Sequence, residues 1–404
     1  MKANRAFALA TGLALAAGAA QAEFSGGVIK VGVINDQSSL YADLAGPGSV
    51  VAARMAVEDF KAEAKGLKVE ILSADHQNKA DVASNIVRQW VERDGVDLIL
   101  DVPNSSVVLA VNELLRGKRA GMIVSTGATS DLTGKACSPN SIHWTYDTWA
   151  LANGTGQAIV KTGGDSWFFI TADYAFGHAL EGDTAAVVEK NGGKVVGKVR
   201  HPLNSPDFSS FLLQAQASKA KIVGLANAGG DTTNAIKQAS EFGIVMKGQN
   251  LAGLLVFLTD VHSLGLQAAQ GLIFSEPFYW DLNDGTREFA KRFAPRNRGI
   301  HPTMGHAGVY SALTHYLKAA EASKSDDAQA VFPKMKETPT DDPLFGKGMV
   351  RADGRKIHPM YLFEVKKPAE SKGAWDYYKV RATISAEQAF RPMDQGNCQL
   401  VKKG

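Results

Sequence analysis

Residues 29–34 read Ile29-Lys30-Val31-Gly32-Val33-Ile34, a β-branched run that stops at a polar loop, Asn35 to Ser39. The next segment, Gly46 to Lys65, changes period: Val50, Ala53, Ala56, Val57 and Phe60 recur at helical spacing. Strand, polar loop and amphipathic helix make one unit of a parallel sheet, and the chain repeats the unit. Lys68 to Ser73 is the next strand and Asp81 to Asp94 the next helix, with Val82, Ile86, Val87 and Trp90 on one face. Asp97 to Val102, Val107 to Arg116 and Gly121 to Ser125 continue as strand, helix and strand. The alternation predicts a parallel sheet with helices on both faces.

The rhythm restarts further on. Asp165 to Ile170, Lys194 to Arg200 and Lys221 to Ala226 read as strands, and Gly177 to Asn191, Ser209 to Ser218 and Asp231 to Phe242 as helices. His143 to Asn153 lies between the two series and reads as an irregular crossover. After Gly271 the order changes. Leu272 to Ser275 is strand-like, Pro277-Phe278-Tyr279-Trp280 an aromatic turn, and Thr286 to Arg298 and Gly305 to Ala322 helices. His358 to Val365 and Trp375 to Val380 alternate as an antiparallel pair would. No low-complexity linker separates the halves, so several short crossovers are expected to join them.

Lys2 and Arg5, the apolar run Ala6 to Ala19 and the small residues Ala20-Gln21-Ala22 read as a signal peptide, residues 1–22. The run is shorter than the roughly 20 residues that cross a bilayer, and no later stretch is apolar for long enough, so an exported chain that does not span the membrane is expected. What remains exceeds the ~250–300 residues at which single cores stop growing, which predicts two lobes. Lys and Arg, 44 in all, nearly balance 41 Asp and Glu. The charges are interspersed and leave no nucleic-acid footprint. The two cysteines, Cys137 and Cys398, are expected to form a disulfide that staples the tail to the body.

In open α/β sheets ligands bind beyond the carboxyl ends of the strands. The residues there are Asn35, Asp36, Ser38, Ser39 and Tyr41, then Asn104, Ser105 and Ser106, then Ser125, Thr126, Gly127, Ala128 and Thr129. The second series adds Asp173, Tyr174, Ala175 and Phe176, then Asn227, Ala228, Gly229, Gly230 and Asp231. These are hydroxyls, amides, small residues and aromatics. Ser105 and Ser106 open a helix, so they suit either a docked carboxylate or ordinary helix capping. Tyr174 and Phe176, like Trp144, Tyr146 and Trp149 in the crossover, suit either a stacked ligand or lobe packing. A G-x-S-x-G elbow, a Walker A loop, H-E-x-x-H and a G-x-G-x-x-G turn are all missing. The nine histidines, His76, His143, His178, His201 and His306 among them, are scattered. No enzyme, cofactor or metal site is expected.

These pieces, in this order, resemble the type I periplasmic binding proteins of ABC importers, and among them the branched-chain amino-acid (Leu/Ile/Val) binding family. The resemblance runs from Ile29 to about Val380. It rests on the first strand with Tyr41-Ala42-Asp43-Leu44-Ala45-Gly46, on Asn104-Ser105-Ser106, on Ser125-Thr126-Gly127-Ala128-Thr129 and on Asp173-Tyr174-Ala175-Phe176-Gly177. It implies two Rossmann-like α/β lobes joined by three crossovers, with boundaries at 23–146 plus 276–345 and 147–275 plus 346–404. It also implies a periplasmic solute-binding subunit that closes over a small molecule and meets a membrane permease. The segments Asn104 to Ser106 and Gly127 to Thr129 would hold a ligand carboxylate, with Tyr41 and Tyr146 nearby. Tyr174 and Phe176 would close from the second lobe beside Asn227, Gly229 and Asp231. Members of the family hold an ammonium with an acid on a later loop; here Leu251 to Phe257 carries none, and the next acid is Asp260. A buried ammonium without a carboxylate is poorly compensated, so an organic or aromatic acid is favoured. An amino acid held by Asp231, or a periplasmic sensor of the same fold, is the alternative.

Overall fold

The computed structural model describes residues 24–401; the expected signal segment, 1–22, lies outside the described residues. The first series is β1 (Ile29–Asn35), α1 (Gly46–Phe60), β2 (Val69–Asp75), α2 (Ala80–Gln89), β3 (Leu98–Asp101), α3 (Ser105–Leu115), β4 (Gly121–Val124) and β5 (Ser141–His143). Its strands form one parallel sheet in the order β2-β1-β3-β4-β5. β3 and β4 are buried at every position, as parallel strands covered on both faces must be. A Cβ at Gly32 in the middle of β1 would stand 2.5 Å from the Trp90 indole, so the missing side chain is what lets that ring lie across the strand.

The crossover expected to be irregular is largely helical. His143 ends β5, and α4 (Thr148–Leu151), a π-helical stretch over 152–156 and α5 (Gln157–Lys161) follow in one winding run. The Asp147 carboxylate starts the run by accepting the Ala150 N–H at 2.8 Å. The second series is β6 (Ser166–Ala172), α6 (Ala175–Lys190), β7 (Lys194–His201), α7 (Ser209–Ala217), β8 (Ile222–Ala226), α8 (Gly230–Glu241) and β9 (Asn250–Gly253). It forms a second parallel sheet, β7-β6-β8-β9.

After α9 (Leu258–Leu264), α10 (Leu266–Ala269) and β10 (Ile273–Glu276), the chain returns to the first sheet. α11 (Asp284–Phe293) and α12 (Met304–Ser323) lie on α1, with Arg292 paired to Asp59 and Arg296 to Glu58 at 2.6 Å. α13 (Ala328–Glu337) packs on α12. A small antiparallel sheet follows, β11 (Thr340–Asp342), β12 (Gly346–Val350) and β13 (Lys356–Ile357). β14 (Met360–Val365) and β15 (Tyr378–Ile384) then join β10 in an antiparallel sheet, so Trp375 belongs to the turn before β15 and not to the strand. The expected disulfide joins Cys137 to Cys398 with 5.6 Å between Cα atoms, and Arg391 donates to the Ser130 carbonyl at 2.8 Å. Among the described residues no helix is long and apolar enough to cross a membrane.

Candidate functional site

Each parallel sheet reverses its strand order once, between β1 and β3 in the first and between β6 and β8 in the second. Such switch points leave a crevice beyond the strand ends. The loops that flank them, 36–45 and 102–104 on one side and 173–174 and 227–229 on the other, face one another. Gly229 holds φ +57°, and a Cβ there would stand 2.7 Å from the Leu40 carbonyl oxygen and 3.1 Å from the Tyr41 ring. The Tyr41 and Tyr174 hydroxyls meet at 2.5 Å.

The end of β3 is under local strain. Asp101 and the β-branched Val102 both take left-handed backbone, φ 84° and 55°. The Asp101 carboxylate anchors that turn by accepting from Asn35 Nδ2 at 2.9 Å and Thr126 Oγ1 at 2.5 Å, which ties together the ends of three strands. Burial raises its pKa, against the lowering pull of Ser49, Thr126 and Asn35. The turn presents Pro103 to the crevice and starts α3. Asn104 is the helix cap, its Oδ1 accepting the Ser106 N–H at 2.9 Å and the Val107 N–H at 3.2 Å. Ser105 Oγ accepts the Thr129 N–H at 3.2 Å, so the start of α3 and the loop after β4 are pinned together. Gly127 sits where a Cβ would fall 2.4 Å from the Val102 carbonyl.

A narrow cavity of about 10 Å³ lies between the loops. Tyr41, Tyr146, Tyr174, Phe176 and Phe257 supply its aromatic wall. Leu44, Pro103, Ala128, Ala228 and Leu255 supply aliphatic surface, and Thr126 a hydroxyl. Tyr146 donates to the Thr126 carbonyl at 2.5 Å and lies edge-on to Phe257 at 6.2 Å. Burial lifts the hydroxyl pKa of Tyr41, Tyr146 and Tyr174, so all three stay protonated and able to donate.

Of the residues expected at the site, Tyr41, Ala128, Tyr146, Tyr174 and Phe176 line this cavity. Asn104, Ser105, Ser106, Gly127, Thr129, Asn227, Gly229 and Asp231 do not; they stand around it. Asn227 holds Thr232 Oγ1 at 2.7 Å and His201 Nε2 at 3.2 Å. Asp231 accepts the Asn204 and Ser205 N–H groups at 3.1 and 2.8 Å, and burial pushes its pKa up to about 6. Asp260 caps α9 by accepting the Phe257 N–H at 2.8 Å, and burial pushes it up to about 7. Leu44, Pro103, Leu255 and Phe257 are the lining residues missed as candidates, while Thr126 and Ala228 stood among the strand-end residues. Leu255 and Phe257 follow β9, whose four residues, Asn-Leu-Ala-Gly, carry too little β-branched signal to be read as a strand.

The lining contains no Asp, Glu, Lys, Arg or His. Such a wall suits an apolar or aromatic body with polar atoms met by hydroxyls. No group of three or more metal-ligating side chains occurs among the described residues.

A family model described as periplasmic binding protein matches residues 28–374. The Leu/Ile/Val-binding protein homolog 6 of Brucella melitensis is 26% identical over 343 residues, which cover 78% of this chain and 81% of the relative. A periplasmic binding protein from Burkholderia mallei, solved as a crystal structure, is 50% identical with a TM-score of 0.91, covering 93% of this chain and 100% of that one. A branched chain amino acid ABC transporter periplasmic ligand-binding protein from Burkholderia xenovorans LB400 is 42% identical with a TM-score of 0.82, covering 92% and 99%.

Proposed function

The chain belongs to the periplasmic binding protein family, and from that premise we propose that it captures a small organic acid, aromatic or aliphatic, between two closing lobes. It is a periplasmic solute-binding protein of an ABC transporter and not an enzyme. The observation that carries the choice of cargo is the cavity wall: aromatic and aliphatic, with tyrosine hydroxyls and no carboxylate. An α-ammonium buried there would lose its hydration without an ionic partner. Asp231 and Asp260, the two acids weighed for that role, do not line the cavity and accept backbone N–H groups.

The ligand carboxylate would lie toward Ser105 and Thr129. Ser105 Oγ accepts the Thr129 N–H, which leaves its own O–H to donate. We take the lobes to divide at 23–146 with 276–345 and 147–275 with 346–404, except that β12 and β13, which pair with β11 and at Arg355 with His143, and the tail beyond β15, held by the disulfide and Arg391, go with the first lobe. The closed lobes would present a joint surface to a membrane permease. A branched-chain amino acid is the second reading, favoured by the likeness to the 42% identical branched chain amino acid transporter protein of Burkholderia xenovorans.

Isothermal calorimetry against benzoate, 4-hydroxybenzoate, a short aliphatic carboxylate, L-leucine and L-valine decides between them. The acids are expected to bind and the amino acids to fail. Binding of L-leucine with no response to any acid would overturn the assignment.

A further inference from the structure

Away from the cavity, three side chains from separate parts of the chain stack into one aromatic group. Trp375, in the turn before β15, lies face to face with His262 on α9, with 3.8 Å between ring centroids and 8° between planes. The same indole stacks with His301 at 5.3 Å and 14°. Trp280, in the crossover after β10, meets His301 edge-on at 4.6 Å. None of these four residues lines the cavity or touches its hydroxyl groups.

Their positions in the fold give the group a direction. α9 and the β14–β15 turn belong to the second lobe. His301 precedes α12, whose cap Thr303 donates to the Leu44 carbonyl at 2.8 Å, and so it rides on the first lobe beside a cavity-lining residue. Trp375 is already held by the crossover after β10. Its carbonyl accepts from Trp280 Nε1 at 2.7 Å and from Tyr279 Oη at 2.9 Å. His262 Nδ1 pairs with the Tyr377 hydroxyl at 2.8 Å. The Trp375 backbone stands at φ +70°, a left-handed conformation that a bulky residue adopts only where its surroundings enforce it. The indole is therefore presented, at a conformational cost, to whatever the first lobe brings against it. What the first lobe brings is His301.

We propose that Trp375 and His301 form an aromatic clasp between the lobes, with His262 stacked behind Trp375 as its fixed jaw, and that the clasp holds the closed arrangement independently of the ligand. It is a positioning device for capture: it makes no ligand contact, and it sets how much of the closed form is populated. The proposal rests on the lobe-closure reading, and the experiment separates the two.

Small-angle X-ray scattering of the full chain, freed of co-purified molecules by dialysis, reads the closed population directly. His301→Ala is expected to enlarge the radius of gyration, with the closed-to-open ratio falling about 2- to 10-fold, the equivalent of one aromatic pair. Trp375→Phe keeps a stacking face and should scatter like the unmodified chain. His301→Gln, checked for native circular dichroism, repeats the test with little change in side-chain volume. Gly229→Trp, which forces a ring against Leu40 and Tyr41, serves as the wedge that opens the lobes by another route. If Gly229→Trp expands the molecule and neither His301 variant does, the clasp is overturned. If Gly229→Trp does not expand it either, the lobe-closure reading falls as well.

Discussion

The Tyr41 hydroxyl and the Tyr174 hydroxyl sit 2.5 Å apart across the cleft, one supplied by the loop after the first strand of each lobe. Both rings line the same cavity, and burial keeps both hydroxyls protonated. On the proposed lobe closure, the pair is a hydrogen bond that forms as the lobes meet.

Tyr41→Phe therefore leaves the Tyr174 hydroxyl without that partner in a buried wall. The unmet group should cost the closed form about 1–3 kcal/mol. Affinity for the best acid found by calorimetry is expected to fall about tenfold, with Tm nearly unchanged because each lobe keeps its own core. Unaltered affinity would show that the pair contributes nothing to capture.

Ser105→Ala combined with Thr129→Ala tests the carboxylate position. Hydrogen bonds to a charged group contribute about 1.5–3 kcal/mol each, so affinity for an acid should drop at least tenfold. The methyl ester of the same acid, which binds weakly to begin with, should lose little. Equal losses for acid and ester would place the carboxylate elsewhere.

Replacing both cysteines, Cys137→Ser with Cys398→Ser, removes a link between residues separated by 261 positions. Cross-links closing long loops contribute about 2–5 kcal/mol, in the chain-entropy account by constraining the unfolded chain. The thermal midpoint should fall by several degrees in calorimetry while the ligand affinity stays close to its original value. A drop in affinity as large as the drop in stability would mean that the tail shapes the cavity.

Acid should weaken the fold through His306. Its Nδ1 accepts the Thr303 N–H at 3.1 Å and its Nε2–H donates to the Ala45 carbonyl at 2.7 Å, a pattern that needs the neutral ring. Burial depresses its pKa to about 4. A depressed histidine pKa means that the folded state resists a proton the unfolded chain accepts near 6.5. Its contribution is intact above that value and is lost as pH falls toward 4, on the order of 2 kcal/mol by pH 5. Asp231 and Asp260, raised to about 6 and 7, act in the opposite sense over the same window. The clean measurement is thus the difference between the unmodified chain and His306→Gln, followed by denaturant unfolding from pH 7.5 to 5. That difference should move against the unmodified chain as pH falls; a flat difference would remove His306 from the account.

Much of the architecture was legible because parallel sheets write themselves in buried aliphatic runs: Val31, Val33 and Ile34 in β1 or Leu98 to Leu100 in β3 leave little choice. Tyr41, Tyr174, Phe176 and Ala128, read at strand ends, and Tyr146, read in the crossover, all line one cavity. What stayed hidden has physical reasons. Asn104 has the right residue type for a ligand and uses it on its own helix, a competition between capping and binding that spacing alone does not resolve. Leu255 and Phe257 follow a strand too short and too plain to register. Asp101 and Val102 shape the turn at the switch point through left-handed backbone, which no residue type advertises when the residue is not glycine.

The bond between Cys137 and Cys398 also bears on how the molecule is assembled. With two cysteines in the sequence, oxidation inside one chain has a single outcome and nothing to reshuffle. The exposure lies in time. Cys137 emerges from translocation long before residue 398 and must wait as a free thiol while the intervening chain follows. During that interval its available partners are other molecules, so crowded export would show its first faults as disulfide-linked dimers and not as scrambled monomers.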